Sequence, residues 1–501
     1  MAEIVVIGGG VSGLAAGIYA QRNGHHATIC EKYRIAGGNL TAWKRQGYTI
    51  DTCIHWLTGT NPASPMYTMW EQLGALGEGV EIYRPEMLFT VEYEGERLSL
   101  YRDLEKTIAD MLAISPQDKK EIQRFKKVVL LLMGFLGNAG PAFNEKPPLW
   151  KQIPYMPAIA RYYFKTTGEV ADRFRHPLLQ KFMYSLLGRE FAAIDFAFVT
   201  ATFVSGNADL PSQISAPMAK RMADHFKMLG GELRTGAEVT GISLMPCDAP
   251  ADRKLRRTSK DWHRATEVCL ADGSQLPADY VVCAVDPKIT FEKFLPGRMP
   301  KTLMKQYAHP GYKIFSSYHV QLSCDLPAEQ IPFRENLFVN APSKVRPTIG
   351  AGYFTLREFS HEVTFAKEGT ATLQAMVYIY ESGIRRFLQL YEDKEAYRKE
   401  KEKKGQAILT AIETRFPELS GKLHVLDVWT PATFRRYTGA VDGTYMAHLN
   451  PKRTYPHKLD AHIPGLTNVL LASQWTMAPG GLPVAASTGR AAIKAIDGVI
   501  R

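Results

Sequence analysis

Cysteine is scarce: the chain has six in 501 residues (Cys30, Cys53, Cys247, Cys269, Cys283 and Cys324), with no C-x-x-C pair. That excludes a disulfide scaffold and a zinc module and points to a reducing compartment, the cytoplasm. Long apolar runs are lacking too. The longest, Val128–Gly137, falls well short of the roughly 20 residues that span a bilayer. No basic leader or cleavage site accompanies the first apolar run, Ala2–Ile7, so the expectation is a soluble protein, peripheral at a membrane at most. Internal repeats and low-complexity linkers are missing as well. With 45% hydrophobic and 22% charged residues, the composition excludes a disordered or collagen-like chain.

Three distant stretches read as pieces of one α/β unit. Glu3–Ile7 is a buried strand, Ser12–Asn23 a helix and Ala27–Glu31 a second strand. Ser215–Leu229 reads as an amphipathic helix with Ser215 as N-cap, and strands Val239–Leu244 and Tyr280–Val285 follow. Asn468–Ala472 is a third strand segment, leading through Gly480-Gly481 into a helix that starts near Pro483. The intervening chain differs in character. It has a hairpin at Phe89–Tyr93 and Arg97–Tyr101, a capped helix start at Ser115 that leads into Ile122–Leu136, and a strand at Thr370–Tyr380. Asp393–Lys404 carries ten charges in twelve residues and reads as a solvated helix face.

Gly8-Gly9-Gly10-Val11-Ser12-Gly13 is a G-x-G-x-x-G between a strand and a helix. Gly8, Gly10 and Gly13 permit the tight turn and let a pyrophosphate reach the backbone N–H groups, with Ser12 beside them. Glu31, 18 residues beyond Gly13, closes the second strand where a carboxylate can bind ribose hydroxyls, and Lys32 follows it. Gly37-Gly38-Asn39 makes a second close-approaching loop. The Gly480-Gly481-Leu482-Pro483 turn sets a helix N-terminus where it would stabilise the negative charge of a reduced flavin. No second G-x-G-x-x-G follows, so the electron donor or acceptor is expected to diffuse in as a quinone, oxygen or a reduced carrier.

With Ile50-Asp-Thr-Cys-Ile-His-Trp-Leu57, Gly230-Gly231, Ala278–Pro287 and Leu471–Arg490, these residues resemble the carotenoid/phytoene desaturase family of the amine-oxidase-like flavoproteins. Asp51 and His55 resemble the retinol-saturase and carotenoid-isomerase branch. The resemblance implies an α/β fold in which a discontinuous, Rossmann-like, glutathione-reductase-type FAD-binding domain (1–75, 206–288 and 460–501) carries an inserted α+β substrate domain (76–205 and 289–459). It implies FAD on Gly8, Gly10, Gly13, Glu31, Gly38 and the Gly480-Gly481-Leu482-Pro483 turn, with Val239 meeting the adenine through its backbone; Ser12, Lys32, Asn39 and Gln474, beside these, are further cofactor-binding candidates. Two departures stand out. Asn39 replaces the arginine that many relatives carry after the double glycine, and Ser473-Gln474 replaces a frequent Gly-Asp.

His55 is the catalytic candidate, as a general acid or as a neutral donor to a polar substrate end; a histidine satisfied in the core is the competing reading. Trp475, Met477 and Tyr437 are candidates for the substrate pocket. The apolar helix Phe125–Leu136 and the aromatic, basic stretch Trp150–Lys165 suggest an apolar substrate and a mouth resting on an anionic bilayer. Asp252–Arg264, with six Lys or Arg against two acids, comes with no recognition fold, so nucleic acid is not an expected partner of this +11 chain. The function expected is addition or removal of hydrogen across carbon–carbon bonds of a large apolar, isoprenoid or polyene substrate, by hydride transfer at flavin N5. The direction stays open between desaturation, saturation and isomerisation. A flavin amine oxidase, or a non-catalytic lipid-binding relative of the GDP-dissociation inhibitors, is the alternative.

Overall fold

The central strand Glu3–Ile7 alternates between two cores. Ile4 and Val6 join Leu14, Ile18, Met222, Phe226 and Ile493 on one face, while Val5 and Ile7 join Val268, Val281, Phe291 and Leu471 on the other. A strand buried on both faces belongs inside a parallel sheet. The computed structural model, which describes residues 1–136, 150, 153, 156–334, 336–450, 452 and 459–500, places it there. The five strands run parallel in the order Glu232–Thr235, His26–Glu31, Glu3–Ile7, Tyr280–Cys283, Val469–Leu471. They come from three separated stretches of chain. Helix Val11–Arg22 packs between Ser215–Met228 and Leu482–Ile500 on the first face.

Two expectations are corrected. Val239–Leu244 is not part of the parallel sheet. The strand runs Val239–Pro246 and pairs antiparallel with His263–Leu270, which pairs with Gln275–Pro277, in a separate three-stranded layer over the second face. Ser215 does not cap its helix; it is the first helical residue, after Ile214 at φ +53°, and its hydroxyl is spent on Asp51. At the C-terminal helix, Pro483 falls at the second position, where its missing N–H still costs nothing.

A second, larger sheet carries strands Leu423–Trp429, Lys313–Cys324, Ala371–Tyr380, Tyr353–Glu358, Asn336–Asn340, Met87–Tyr93 and Glu96–Tyr101, with His448–Leu449 paired to Lys313–Cys324. Every pairing is antiparallel except that of Asn336–Asn340 with Met87–Tyr93. Tyr318, Val320 and Leu322, with Leu373, Ala375 and Val377, pack against helix Lys394–Arg415. Period-2 alternation sends Ser317, His319, Gln321, Gln374, Met376, Thr355 and Arg357 to the opposite face, where all are buried. Helices Lys119–Leu136, Pro177–Tyr184 and Ala193–Val204 cover one end of the sheet through Phe125, Phe182 and Phe196, with Phe125 stacked on Phe196 and Phe89 tilted against Phe182 and Phe196. Lys151 and Tyr155 of the aromatic, basic stretch lie outside the described residues. Among the described residues no helix is long and apolar enough to cross a membrane.

The first and last helices meet through a missing side chain. A Cβ on Gly489 would sit 2.4 Å from the Ser12 carbonyl oxygen and 2.8 Å from the Ala16 nitrogen. Gly489→Ala is therefore expected to cost about 1–3 kcal/mol by overpacking, read as a lower denaturant midpoint at unchanged m.

Candidate functional site

Glycine dominates the upper wall of the site because backbone has to come close to backbone there. Gly8 sits at φ +102°, and a Cβ on it would lie 2.8 Å from Val285. A Cβ on Gly13 would lie 1.9 Å from the Gly8 carbonyl oxygen, so the third glycine seats the helix against the strand and does not itself line the cavity. The Gly37 N–H donates to the Gly9 carbonyl at 2.8 Å, and a Cβ on Gly38 would stand 3.2 Å from the Gly10 Cα. Two glycine loops thus face each other across a narrow slot. Glu31, buried at the strand end, accepts from the Gly9 N–H at 2.8 Å and the Tyr33 N–H at 2.9 Å, which fixes its carboxylate at the edge of that slot.

The C-terminal turn is braced from two sides. Gln474 accepts from the Gly481 N–H at 3.0 Å and donates to the Tyr445 carbonyl at 3.0 Å, and Asn39 donates to the same carbonyl at 3.1 Å. Asn39 and Gln474 thus tie three distant segments together. With Gly481 engaged and Pro483 lacking an N–H, Leu482 and Val484 are the cavity-lining residues that supply the first-turn donors.

These walls enclose one cavity of about 1260 Å³. Gly8, Gly10, Ser12, Glu31, Lys32, Gly38, Asn39, Val239, Gln474, Gly480, Gly481, Leu482 and Pro483 line it, as do His55, Trp475, Met477 and Tyr437. Tyr437 lies beside Tyr33, ring centroids 5.8 Å apart, and so at the Glu31 end. Trp475 donates its indole N–H to Thr444 at 3.1 Å. Away from the glycine loops the lining turns apolar: Leu186, Leu187, Phe191, Ile194, Phe198 and Phe315.

The floor is the polar face of the large sheet. One cross-strand row runs Trp429, His319, Met376, Thr355, and the next runs Asp427, Gln321, Gln374, Arg357, Asn336. Sequence reasoning missed His319 and Arg357. The signal was there, since Ser317, His319, Gln321 and Ser323 alternate with apolar residues along one strand, but that pattern reads equally as a solvated face. His319 stacks on Trp429 at 4.6 Å and shares a 2.8 Å hydrogen bond with Ser317. Its ring lies 6.4 Å from that of His55. Burial, the Arg357 guanidinium and His319 hold His55 well below the ordinary imidazole range, so it is uncharged at neutral pH. The loop carrying it hangs on Asp51, whose buried carboxyl accepts from the Ser215 N–H at 2.8 Å and hydroxyl at 2.7 Å. Burial raises the Asp51 pKa in spite of these bonds. The arrangement can hold a long phosphate-bearing cofactor against the glycine loops and an apolar molecule beyond it, with two neutral imidazoles where they meet.

Residues 11–496 match the family model described as flavin containing amine oxidoreductase. The chain is 23% identical to a chloroplastic prolycopene isomerase of Arabidopsis thaliana over 88% of this chain and 74% of that one. It is 26% identical to a neurosporene-forming phytoene desaturase of Rhodobacter capsulatus over 60% and 55%. Among solved structures, an oxidoreductase from Methanosarcina mazei covers 99% of this chain at TM-score 0.61, aligning over 100% of its own length, and a putrescine oxidase redesigned for cofactor binding covers 100% at 0.62, over 99% of its own. Each is 14% identical. Both likenesses concern the fold.

Burial lowers the pKa of His319 to about 3, of His361 to about 3 and of His448 to about 4. The unfolded chain binds these protons near 6.5, so stability is full above that pH and falls as pH drops toward 4, on the order of 1.4 kcal/mol per pH unit for each histidine. Asp286, raised by burial to about 6, opposes this between about 4 and 6, because there the folded state holds the extra proton. Urea unfolding from pH 7.5 to 4.5 is expected to show a shallower acid loss in His319→Gln than in the unaltered chain.

Proposed function

The chain belongs to the flavin-containing amine oxidoreductase family, and from that premise we propose that it is an FAD enzyme that desaturates, saturates or isomerises a long apolar polyene. It is a flavin-dependent oxidoreductase. The observation that carries the finer reading is the continuity of the cavity: at about 1260 Å³ it exceeds the roughly 300–1,000 Å³ of a single-ligand pocket, and its far end is hydrocarbon. The named activities of the prolycopene isomerase and phytoene desaturase relatives fit that end.

In this reading residues 1–75, 206–288 and 460–501 hold the cofactor, and residues 76–205 and 289–459 hold the substrate. The close approach of the two glycine loops, which a Cβ on Gly38 would crowd against Gly10, suits a pyrophosphate, offered the backbone N–H groups at the start of helix Val11–Arg22 beside Ser12. Glu31 takes ribose hydroxyls, with Lys32 as the cation beside it, and the Val239 backbone meets the adenine. Gly38 and Asn39 close the slot, while Gln474 keeps the Gly480–Pro483 turn in place. When bound, the flavin supplies the hydride chemistry. Trp475 and Met477 wall the chamber and exclude water. His55, uncharged, hydrogen-bonds the substrate or passes a proton at an imidazole nitrogen. Electrons leave or arrive through a diffusing quinone, oxygen or reduced carrier.

Exposed Met156 and Phe164 flank Tyr163, which lines the cavity, and Trp150 and Ile153 are exposed nearby in sequence. This set supports entry of the substrate from an anionic bilayer. Oxidised and photoreduced holoenzyme, each mixed anaerobically with prolycopene and phytoene, and oxidised holoenzyme mixed with a panel of amines, test the reading. Expected is a spectral change in a polyene, slowed about a hundredfold in His55→Gln at unchanged flavin absorption. Amine oxidation with no change in any polyene would overturn it. Phe164→Ser with Met156→Ser is expected to weaken co-sedimentation with phosphatidylglycerol vesicles about tenfold.

A further inference from the structure

The cavity changes chemistry from one edge of the large sheet to the other. Its floor row Thr355, Met376, His319, Trp429 crosses four adjacent strands, and three strand spacings make it about 14 Å long. At the Thr355 end the row continues to Phe338, which packs with Leu186, Phe191 and Ile194 of the hydrocarbon lining. At the other end lies the edge strand Leu423–Trp429, where the lining is Trp43, Arg45, Tyr397, Lys401 and Asp427. A linear ligand laid across the strands therefore meets surroundings of opposite character at its two ends. Two observations say what the polar end lacks. Trp429 is 1% exposed, yet its indole N–H finds no acceptor among the described residues. An unmade hydrogen bond in such a place costs about 1–3 kcal/mol. Beside it, Asp427 accepts from Trp43 Nε1 at 3.1 Å and the Val428 N–H at 2.8 Å, and pairs with Arg45 Nε at 3.2 Å and Lys401 Nζ at 3.6 Å. Neither cation has another acidic partner among the described residues, so two positive charges share one carboxylate. Donors and positive charge are both in surplus, and the group that would balance them is an anionic oxygen acceptor.

We propose that this edge of the floor is a head-group site: Trp429, Arg45 and Lys401 hold the terminal carboxylate of a polyene or isoprenoid acid, whose chain runs over His319 and Met376 into the hydrocarbon lining. The inference rests on the reading of the cavity as a polyene chamber, and it ranks polyenes that end in a carboxylate above neutral ones. A neutral polyene leaves the indole N–H without an acceptor and the second cation unbalanced; a carboxylate answers both. A fixed head also sets the register of the chain. His319 stands one strand spacing from Trp429, about 5 Å, and its ring lies 6.4 Å from that of His55. Bonds close to the carboxyl end, and not those of the tail, therefore come beside the two imidazoles.

The test is equilibrium binding of cis-parinaric acid, a conjugated tetraene acid that fluoresces when bound, and of its methyl ester to flavin-loaded protein. The acid is expected to bind at least about tenfold more tightly than the ester, with a preference that shrinks at high salt. Arg45→Gln with Lys401→Gln should abolish the preference, weakening the acid about tenfold and leaving the ester within about twofold. Trp429→Phe, which keeps a ring and loses the N–H, should weaken the acid about fivefold at unchanged flavin absorption. Equal affinity of acid and ester for the unaltered chain overturns the proposal, whether or not the variants fold. So does a preference that survives Arg45→Gln with Lys401→Gln, or an acid affinity untouched by Trp429→Phe. Loss of flavin from the double variant in place of the preference would assign the two cations to the cofactor and overturn it as well. If the acid is preferred as expected and no polyene reacts, the hydrogen-transfer reading fails and the head-group site stands. If a neutral polyene reacts and the ester binds as well as the acid, the reverse holds.

Discussion

The approach of Gly38 to Gly10, and of Gly13 to the Gly8 carbonyl, is the constraint on which the rest of the structure depends. Backbone occupies the space that side chains would claim anywhere else, and the reward is a slot lined by N–H groups instead of by methyls. That slot exists only because chain segments hundreds of residues apart converge on it. Glu3–Ile7 lies between strands that begin at His26 and Tyr280, and the helix above it is seated on Gly489. The Tyr445 carbonyl then ties Asn39 to Gln474 and sets the C-terminal turn at the far side.

The second sheet completes the site by a different physical rule. An antiparallel strand offers one face to a helix and leaves the other for whatever the fold needs. Here the spare face carries His319, Met376 and Thr355 under a hydrocarbon roof. Polar groups so placed are held by one another and by backbone, as Gln374 is by Gln321 and the Asp51 carbonyl. Burial keeps the imidazoles neutral.

Much of the glycine-rich wall of the cavity was legible in the sequence, because its signals are local. Gly8–Gly13 sits between a strand and a helix, Glu31 lies at the next strand end, and Gly480-Gly481 precedes a helix. Each is a short-range requirement of backbone geometry. The hairpin Met87–Tyr93 with Glu96–Tyr101 and the strand Ala371–Tyr380 were legible for the same reason. The floor was not. Nothing near His319 or Arg357 in sequence says that their alternating polar face meets the cavity and the Asp51–Ile54 loop instead of water; only the pairing of five strands decides that. Ser215 misled through the same blindness. Serine before a helical run reads as a cap, yet its hydroxyl answers Asp51, 164 residues away. Val239–Pro246 has the composition of a parallel strand, but its partner His263–Leu270 runs antiparallel to it, in a separate layer.

The central claim is that one cavity takes a flavin and an apolar chain together, the first forming a wall for the second. Equilibrium binding of a polyene to flavin-loaded and flavin-stripped protein, followed by quenching of tryptophan and flavin fluorescence, tests it most directly. The account predicts saturable binding of one polyene per flavin, with flavin quenching, weakened at least about tenfold when the flavin is removed. Equal affinity with and without flavin, or flavin emission untouched by bound polyene, would contradict it.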